Sequence, residues 1–334
     1  MRIVSGIRPS GELTIANYLG AIKQFLSFQK DKNNECFYFI ADLHALTTPY
    51  SPSKFPKTVL DTLALYLAFG LDPKKSVIFL QSKIHEHTEL TWLLATITPV
   101  GQLSRMTQYK EKVKEGNPSN AGLLFYPILM ASDILLYKGE SVPIGDDQKQ
   151  HLELTQDLAE RFNSKFGKTF PIPKAFFLEK NYSRIKSLLN PNKKMAKSNP
   201  DEAILILDSP DEIKRKIKKA VTDSGKEIKF DLNSKPAISN LLTIYSGFSD
   251  KSIEELEKEF QNKSYSEFKE SLIQLLIEKL IPIQKKYQEF IKDPKNLINI
   301  LEKGSLLAQK TARKTLLEVK QKMGLEINST NYLN

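Results

Sequence analysis

The chain has one cysteine, Cys36, in 334 residues. That excludes an internal disulfide and any zinc or iron–sulfur site built from several cysteines, and it points to a reducing compartment. Histidine is also scarce, at four residues: His44, His85, His87 and His151. His85 and His87 lie two apart with no further ligand at hand. A metal site is therefore not expected, and the pair reads as the start of the following helix. No Ser-His-Asp order stands out, which leaves hydrolase chemistry little support. No apolar run is long enough to cross a bilayer. The opening MRIVSGIRPSG turns too early to hold the apolar region of a signal peptide, so a cytoplasmic protein is expected. Fixed-period repeats and low-complexity tracts are absent too.

What is present suits a soluble protein of about two domains. Hydrophobic residues make up 40% and charged residues 26%, enough for a packed core and a solvated surface. The net charge of +10 raises the prospect of a polyanionic partner. Its distribution weakens that signal. Residues 211–334 carry 23 Lys+Arg against 18 Asp+Glu, and the rest carries 26 against 21, so each part is +5. Neither part is a basic tail.

The first half alternates strands and helices. MRIVSG, CFYFIAD and SVIFLQS read as strands, and the unbroken apolar run of the second is what a strand covered on both faces requires. IANYLGAIKQFLSFQK, FPKTVLDTLALYLAFG and ELTWLLATI have helical spacing, with Gly70 as a C-cap. GNPSNAG is a loop, LLFYPILMASDILLYKG a mostly apolar segment and ESVPIG a short strand. DDQKQHLELTQDLAERFNSKFG is a helix with acids in its first turn. This alternation predicts a parallel α/β sheet. After about residue 206 the strand signal fades and long helical stretches follow, so a separate helical domain is expected.

Four stretches could carry chemistry. VSGIRPSGELTIAN runs from strand to turn to helix start, a natural anion site with Ser10 and Thr14 as donors. It could equally be an ordinary connection. In SVPIGDDQ, Gly145 allows close backbone approach, and Asp146 and Asp147 either cap a helix or accept from ribose hydroxyls. KKMAKS places Lys193, Lys194 and Lys197 in a turn-rich loop, as a polyphosphate clamp or a solvated charge run. Asp133 sits in the apolar YPILMASDILLY, where a carboxylate needs a partner. It is either a ligand acceptor or part of a structural ion pair or cap.

The order and spacing of these stretches are more specific than any one of them. SGIRPSGELTIANYLGA, YPILMASDILLY, VPIGDDQKQHLELTQDLAERFN and KKMAKS, followed by ISNLLTIYS, resemble the bacterial tryptophanyl-tRNA synthetases over residues 1 to about 325. The resemblance implies a class I aminoacyl-tRNA synthetase. Its catalytic domain would be Rossmann-type with a helical insertion (residues 1–206), followed by a helical anticodon-binding domain (207–334). Tryptophan and ATP would give tryptophanyl-adenylate and pyrophosphate, with Mg²⁺ as cofactor, and then tRNA(Trp) would be charged, by a homodimer. TIAN aligns with the first class signature, with Thr14 and Asn17 in place of its histidines. The resemblance assigns ATP contacts to Arg8, Pro9, Ser10, Thr14, Ala16, Asn17, Gly145, Asp146, Asp147 and Ile185. Lys194, Met195, Ala196, Lys197 and Ser198 align with the second signature. Lys112, Lys194 and Lys197 are the implied catalytic cations.

For tryptophan it implies Asp133 on the indole N–H. Val4, Met130, Val142 and Ile144 would form apolar walls, and Tyr126 and Gln148 would hold the α-amino end. Ala16 stands where the signature has Gly, Ala196 where it has Ser, and Val4 where some relatives carry an aromatic residue. A tyrosyl enzyme would want polar partners on both sides of a phenol, and only Asp133 is found. A small-molecule adenylyltransferase would rarely need the long helical part. A non-catalytic RNA-binding or regulatory relative is opposed by Lys194, Lys197 and Asp133.

Overall fold

The structure is a computed structural model describing residues 1–9, 12–114, 116, 119–145, 148–176, 185–196 and 199–326. Its centre, among the described residues, is a five-stranded parallel sheet in the order β3-β2-β1-β4-β5. The strands are β1 (Arg2–Ile7), β2 (Glu35–Ile40), β3 (Ser76–Leu80), β4 (Ser141–Pro143) and β5 (Lys174–Phe176). Ile3 registers with Cys36, and Cys36 with Ser76. The expected apolar run of β2 is covered on both faces. Tyr38 and Ile40 join one core cluster with Ile3, while Phe37 and Phe39 join the other with Val4. Cys36 is a free, buried thiol within the first. β5, three residues long and partly exposed, carries too little pattern to be read from sequence.

The expected first helix is interrupted. Residues Ile15–Asn17 form α1, Tyr18–Ile22 a π-helical turn and Lys23–Phe28 α2. Such wide turns are frequent at functional sites, and here Gly20 and Ala21 line the cleft described below. Between β2 and β3 lie α3 (Asp42–Ala45) and α4 (Phe55–Phe69). Gly70 ends α4 at φ 107°, the left-handed C-cap its position predicts. After β3 come α5 (Glu86–Ala95), α6 (Val100–Ser104), α7 (Thr107–Lys114) and α8 (Ala121–Leu135). α9 (Lys149–Phe166) joins β4 to β5.

The remainder is helical: α10 (Pro210–Lys219), α11 (Pro236–Ser249), α12 (Ile253–Glu259), α13 (Tyr265–Ile291) and α14 (Pro294–Lys322). Serine caps open three of them, with Ser209, Ser252 and Ser264 each accepting from the backbone N–H three residues on. α14 returns to the sheet. Its Ala308, Ala312, Leu316 and Val319 share a core with Phe37 and Phe79. It passes so close that a methyl at Gly304 would sit 1.8 Å from the Ile78 carbonyl oxygen. Arg313 of α14 pairs with the buried Glu86 at the start of α5. No helix, among the described residues, is long and apolar enough to cross a membrane.

Candidate active site

A cleft of about 370 Å³ opens at the carboxyl ends of β1 and β4. These two strands flank the point where the sheet reverses its order, the place where open parallel sheets bind ligands. Its walls come from β1 (Val4, Gly6), α8 (Tyr126, Met130, Asp133), β4 (Val142) and the segment leaving it (Ile144, Gly145, Gln148). Gly6 must lack a side chain, because a Cβ would lie 2.6 Å from the Phe39 ring.

Asp133 is only 1% exposed and has three donors. Its Oδ1 accepts from Gln81 Nε2 at 2.8 Å and from His87 Nδ1 at 2.6 Å. Its Oδ2 accepts from His44 Nε2 at 2.7 Å. A carboxylate oxygen has two lone-pair sites, so Oδ2 retains one toward the cleft. With Nδ1 donating, a neutral His87 leaves Nε2 to accept from the Tyr137 hydroxyl, 2.8 Å away. Burial alone would push the Asp133 carboxyl up. The hydrogen bonds from His44 and His87 instead hold it below its ordinary range. The acid therefore stays ionised in an apolar surrounding. Of its two sequence alternatives the structural pairing is present, and the same group also lines the cleft.

His85 and His87 do begin α5, as expected. Sequence reasoning missed the second role of His87, and with it His44, Gln81 and Tyr137. His44, Gln81 and His87 lie 89, 52 and 46 positions from Asp133, so no local spacing announces them. The strand ends supply the geometry. Gln81 follows β3 and also accepts from the Leu43 N–H beyond β2.

At the other end, the Tyr126 hydroxyl donates to Gln108 at 3.0 Å, leaving His151 Nε2, at 2.8 Å, as donor. Lys112 Nζ stands 4.7 Å from the Tyr126 ring centre, and both line the cleft. Arg8 lines it too. Its Nη2 donates to Thr48 at 2.7 Å, and burial pulls the guanidinium down.

The two signature segments meet through backbone. Thr14 and Asn17 form a reciprocal capping box: the Thr14 hydroxyl accepts from the Asn17 N–H, and the Asn17 side chain accepts from the Thr14 N–H. Asn17 lines the cleft; Thr14 is buried behind it, and Ala16 packs partly against the core. Ile15 N–H donates to Ile204 and Ile206 N–H to Leu13. Residues following the lysine loop are thereby stitched to the first signature. Gln284 of α13 donates to the carbonyls of Ile206 and Asp208. The buried pair Lys216–Asp208, at 2.7 Å, fastens the same segment to α10.

Ile185 and Met195 are buried core residues whose backbones pair, Met195 N–H donating to Ile185. Lys186 bridges Lys194, and Asn240 of α11 bonds both backbone groups of Lys186. The base of the lysine loop is thus held, with Lys194 and Ala196 exposed. Ile185, Lys194, Met195 and Ala196 do not line the cleft, and Pro9 lines a neighbouring groove. Ser10, Asp146, Asp147, Lys197 and Ser198 lie outside the described residues.

The family model "tRNA synthetases class I (W and Y)" matches residues 1–281. A tryptophan–tRNA ligase of Caldanaerobacter subterraneus subsp. tengcongensis is 50% identical over 326 residues, 97% of this chain and 98% of that protein. The tryptophanyl-tRNA synthetase structure from Mycoplasma pneumoniae superposes with a TM-score of 0.89 at 36% identity, covering 99% of each chain. That from Campylobacter jejuni, complexed with ADP and tryptophan, gives 0.81 at 36% identity, covering 97% of this chain and all of the other.

Proposed function

Because this chain belongs to the class I tRNA synthetases for tryptophan and tyrosine, we infer that its cleft joins L-tryptophan to tRNA at the expense of ATP. Tryptophan and ATP first form tryptophanyl-adenylate and pyrophosphate, and the tryptophanyl group then passes to the tRNA 3′ end. The observation that carries tryptophan over tyrosine is Asp133. It is an ionised acceptor set among apolar walls, with one lone pair left for an indole N–H. A site built on such an acceptor rejects rings that lack the donor.

We propose that Val4, Met130, Val142 and Ile144 hold the ring, while Tyr126 and Gln148 hold the amino end. ATP would lie along Arg8, Asn17 and Gly145, with Ser10, Asp146 and Asp147. Thr14, Ala16, Ile185 and Met195 act through the backbone that they position, and Pro9 shapes the turn beside Arg8. The tryptophan carboxylate attacks the α-phosphorus in line and needs no base, being ionised at neutral pH. Catalysis is then positioning plus charge stabilisation on the departing pyrophosphate. Lys112, Lys194 and Lys197 supply that charge, with Ala196 and Ser198 in the closing loop.

Mg²⁺ is proposed as the ion ATP brings. Among the described residues no three His, Cys, Asp or Glu side chains come together to cage one, and such ions are commonly held by substrate phosphates. We further propose a cytoplasmic homodimer, supported by the apolar Trp92 and Val100, exposed by 67% and 65%. The catalytic part would end near residue 206, and the helices beyond it would read the anticodon. Exchange of pyrophosphate into ATP with tryptophan, and not with tyrosine, is the expected result. Exchange with tyrosine, or none with either amino acid, would overturn the reading.

A further inference from the structure

Asn240 is an unexpected residue for the interior of a buried helix. Asparagine is a poor helix former, and its amide is costly to bury without partners. In α11 it is only 6% exposed, between the buried Ser239 and Leu241. Both amide atoms engage one residue distant in sequence. The Oδ1 accepts from the Lys186 N–H at 2.8 Å, and the Nδ2 donates to the Lys186 carbonyl at 3.0 Å.

The register at the base of the lysine loop explains why Lys186 takes such a clamp. Lys186 and Lys194 face each other as an antiparallel pair. The hydrogen bonds around them join their neighbours, from the Ser187 N–H to Lys193 and from the Met195 N–H to Ile185. Lys186 therefore turns its own N–H and carbonyl away from Lys194, toward the outer edge of the pair. The Asn240 amide meets that edge as a third strand one residue long. α11 is itself fixed at both ends. Asp223 accepts from the Ala237 and Ile238 N–H groups at its start. Near its end, Lys23 of α2 donates to the Gly247 carbonyl at 2.7 Å. One helix thus ties the base of the lysine loop to the element that follows the first signature. We propose that Asn240 is a positioning residue for adenylate formation: through the Lys186 backbone it sets where Lys194 stands as charge develops on the departing pyrophosphate. The proposal rests on the aminoacylation reading above and adds to it a residue of the helical part.

The test is a double-mutant cycle in the full chain, read by tryptophan-dependent pyrophosphate exchange. Asn240→Leu removes both bonds, while Asn240→Asp keeps the acceptor and the volume and loses the donor. A displacement of about 1 Å near the reacting atoms can cost about 100-fold in rate. Each variant should therefore lower kcat by about tenfold or more, with KM for tryptophan within about twofold of the parent. In a Lys194→Ala background the same changes should lower kcat by no more than about twofold further, because the group they position is gone. A purely structural role would lower kcat equally in both backgrounds, and that result would overturn the proposal. So would an undiminished kcat with Lys194 present, or the loss of a cooperative thermal transition in both Asn240 variants. Parental kcat in Lys194→Ala alone, or no exchange by the parent chain, would instead overturn the reading beneath it.

Discussion

Replacing Asp133 with asparagine removes a charge and almost no volume, so its effect isolates what the carboxylate does. Gln81 and His87 donate to one oxygen and His44 to the other. An amide has only one acceptor oxygen. Placed at the Oδ1 position, that oxygen serves Gln81 and His87, and the new NH2 takes the Oδ2 position. There it meets His44, which can accept after a tautomer change, and the indole N–H, which cannot accept. The reverse orientation sets an NH2 against two donors and is disfavoured. Bound tryptophan thus loses a hydrogen bond to a charged group, about 1.5–3 kcal/mol. That corresponds to about 10- to 150-fold in affinity. Pyrophosphate exchange at saturating ATP measures it directly: KM for tryptophan should rise by that factor, while KM for ATP stays within about twofold. A folded Asp133→Asn protein with the parental tryptophan KM would refute both the acceptor role and the orientation argument.

Three further outcomes follow from the same contacts. His87→Leu removes one of the bonds holding the Asp133 carboxyl down, so that carboxyl titrates at higher pH. Activity requires the ionised form and is lost as pH falls through its pKa. The acid limb of kcat/KM for tryptophan should therefore move to higher pH, and an unmoved limb would count against the network. Lys216→Met strands the buried Asp208 and should cost about 3–5 kcal/mol near neutral pH. Burial already pushes the Asp208 carboxyl up, and losing Lys216 pushes it further, so protonation relieves the deficit as pH falls. Guanidinium unfolding near neutrality and at about pH 5 should show a smaller deficit at the lower pH; equal deficits would contradict the pairing. Gly304→Ala forces a methyl to within 1.8 Å of a backbone oxygen that cannot rotate away. It should destabilise by about 3 kcal/mol, near the top of the overpacking range, as read by thermal melting.

Sequence by itself determined the elements whose causes are local. The apolar run of β2 reports burial on both faces, and Gly70 reports a left-handed cap. It also singled out Asp133, because an acid in an apolar helix needs a partner wherever that partner lies. The ordered motifs carried the family, since their spacing survives without any contact being known. What sequence could not supply was the partner set. His44, Gln81 and His87 lie on three separate segments, and only the stacking of parallel strand ends brings their nitrogens to one carboxylate. The same holds for Thr14, whose side chain was legible as a donor but whose hydroxyl is taken by the cap it forms with Asn17. It holds for Gly304, an unremarked helix position until α14 is laid against β3. Local propensity acts over a turn or two of chain. Hydrogen bonds and steric exclusion act over a few ångströms of space, and only the folded chain decides which residues those ångströms contain.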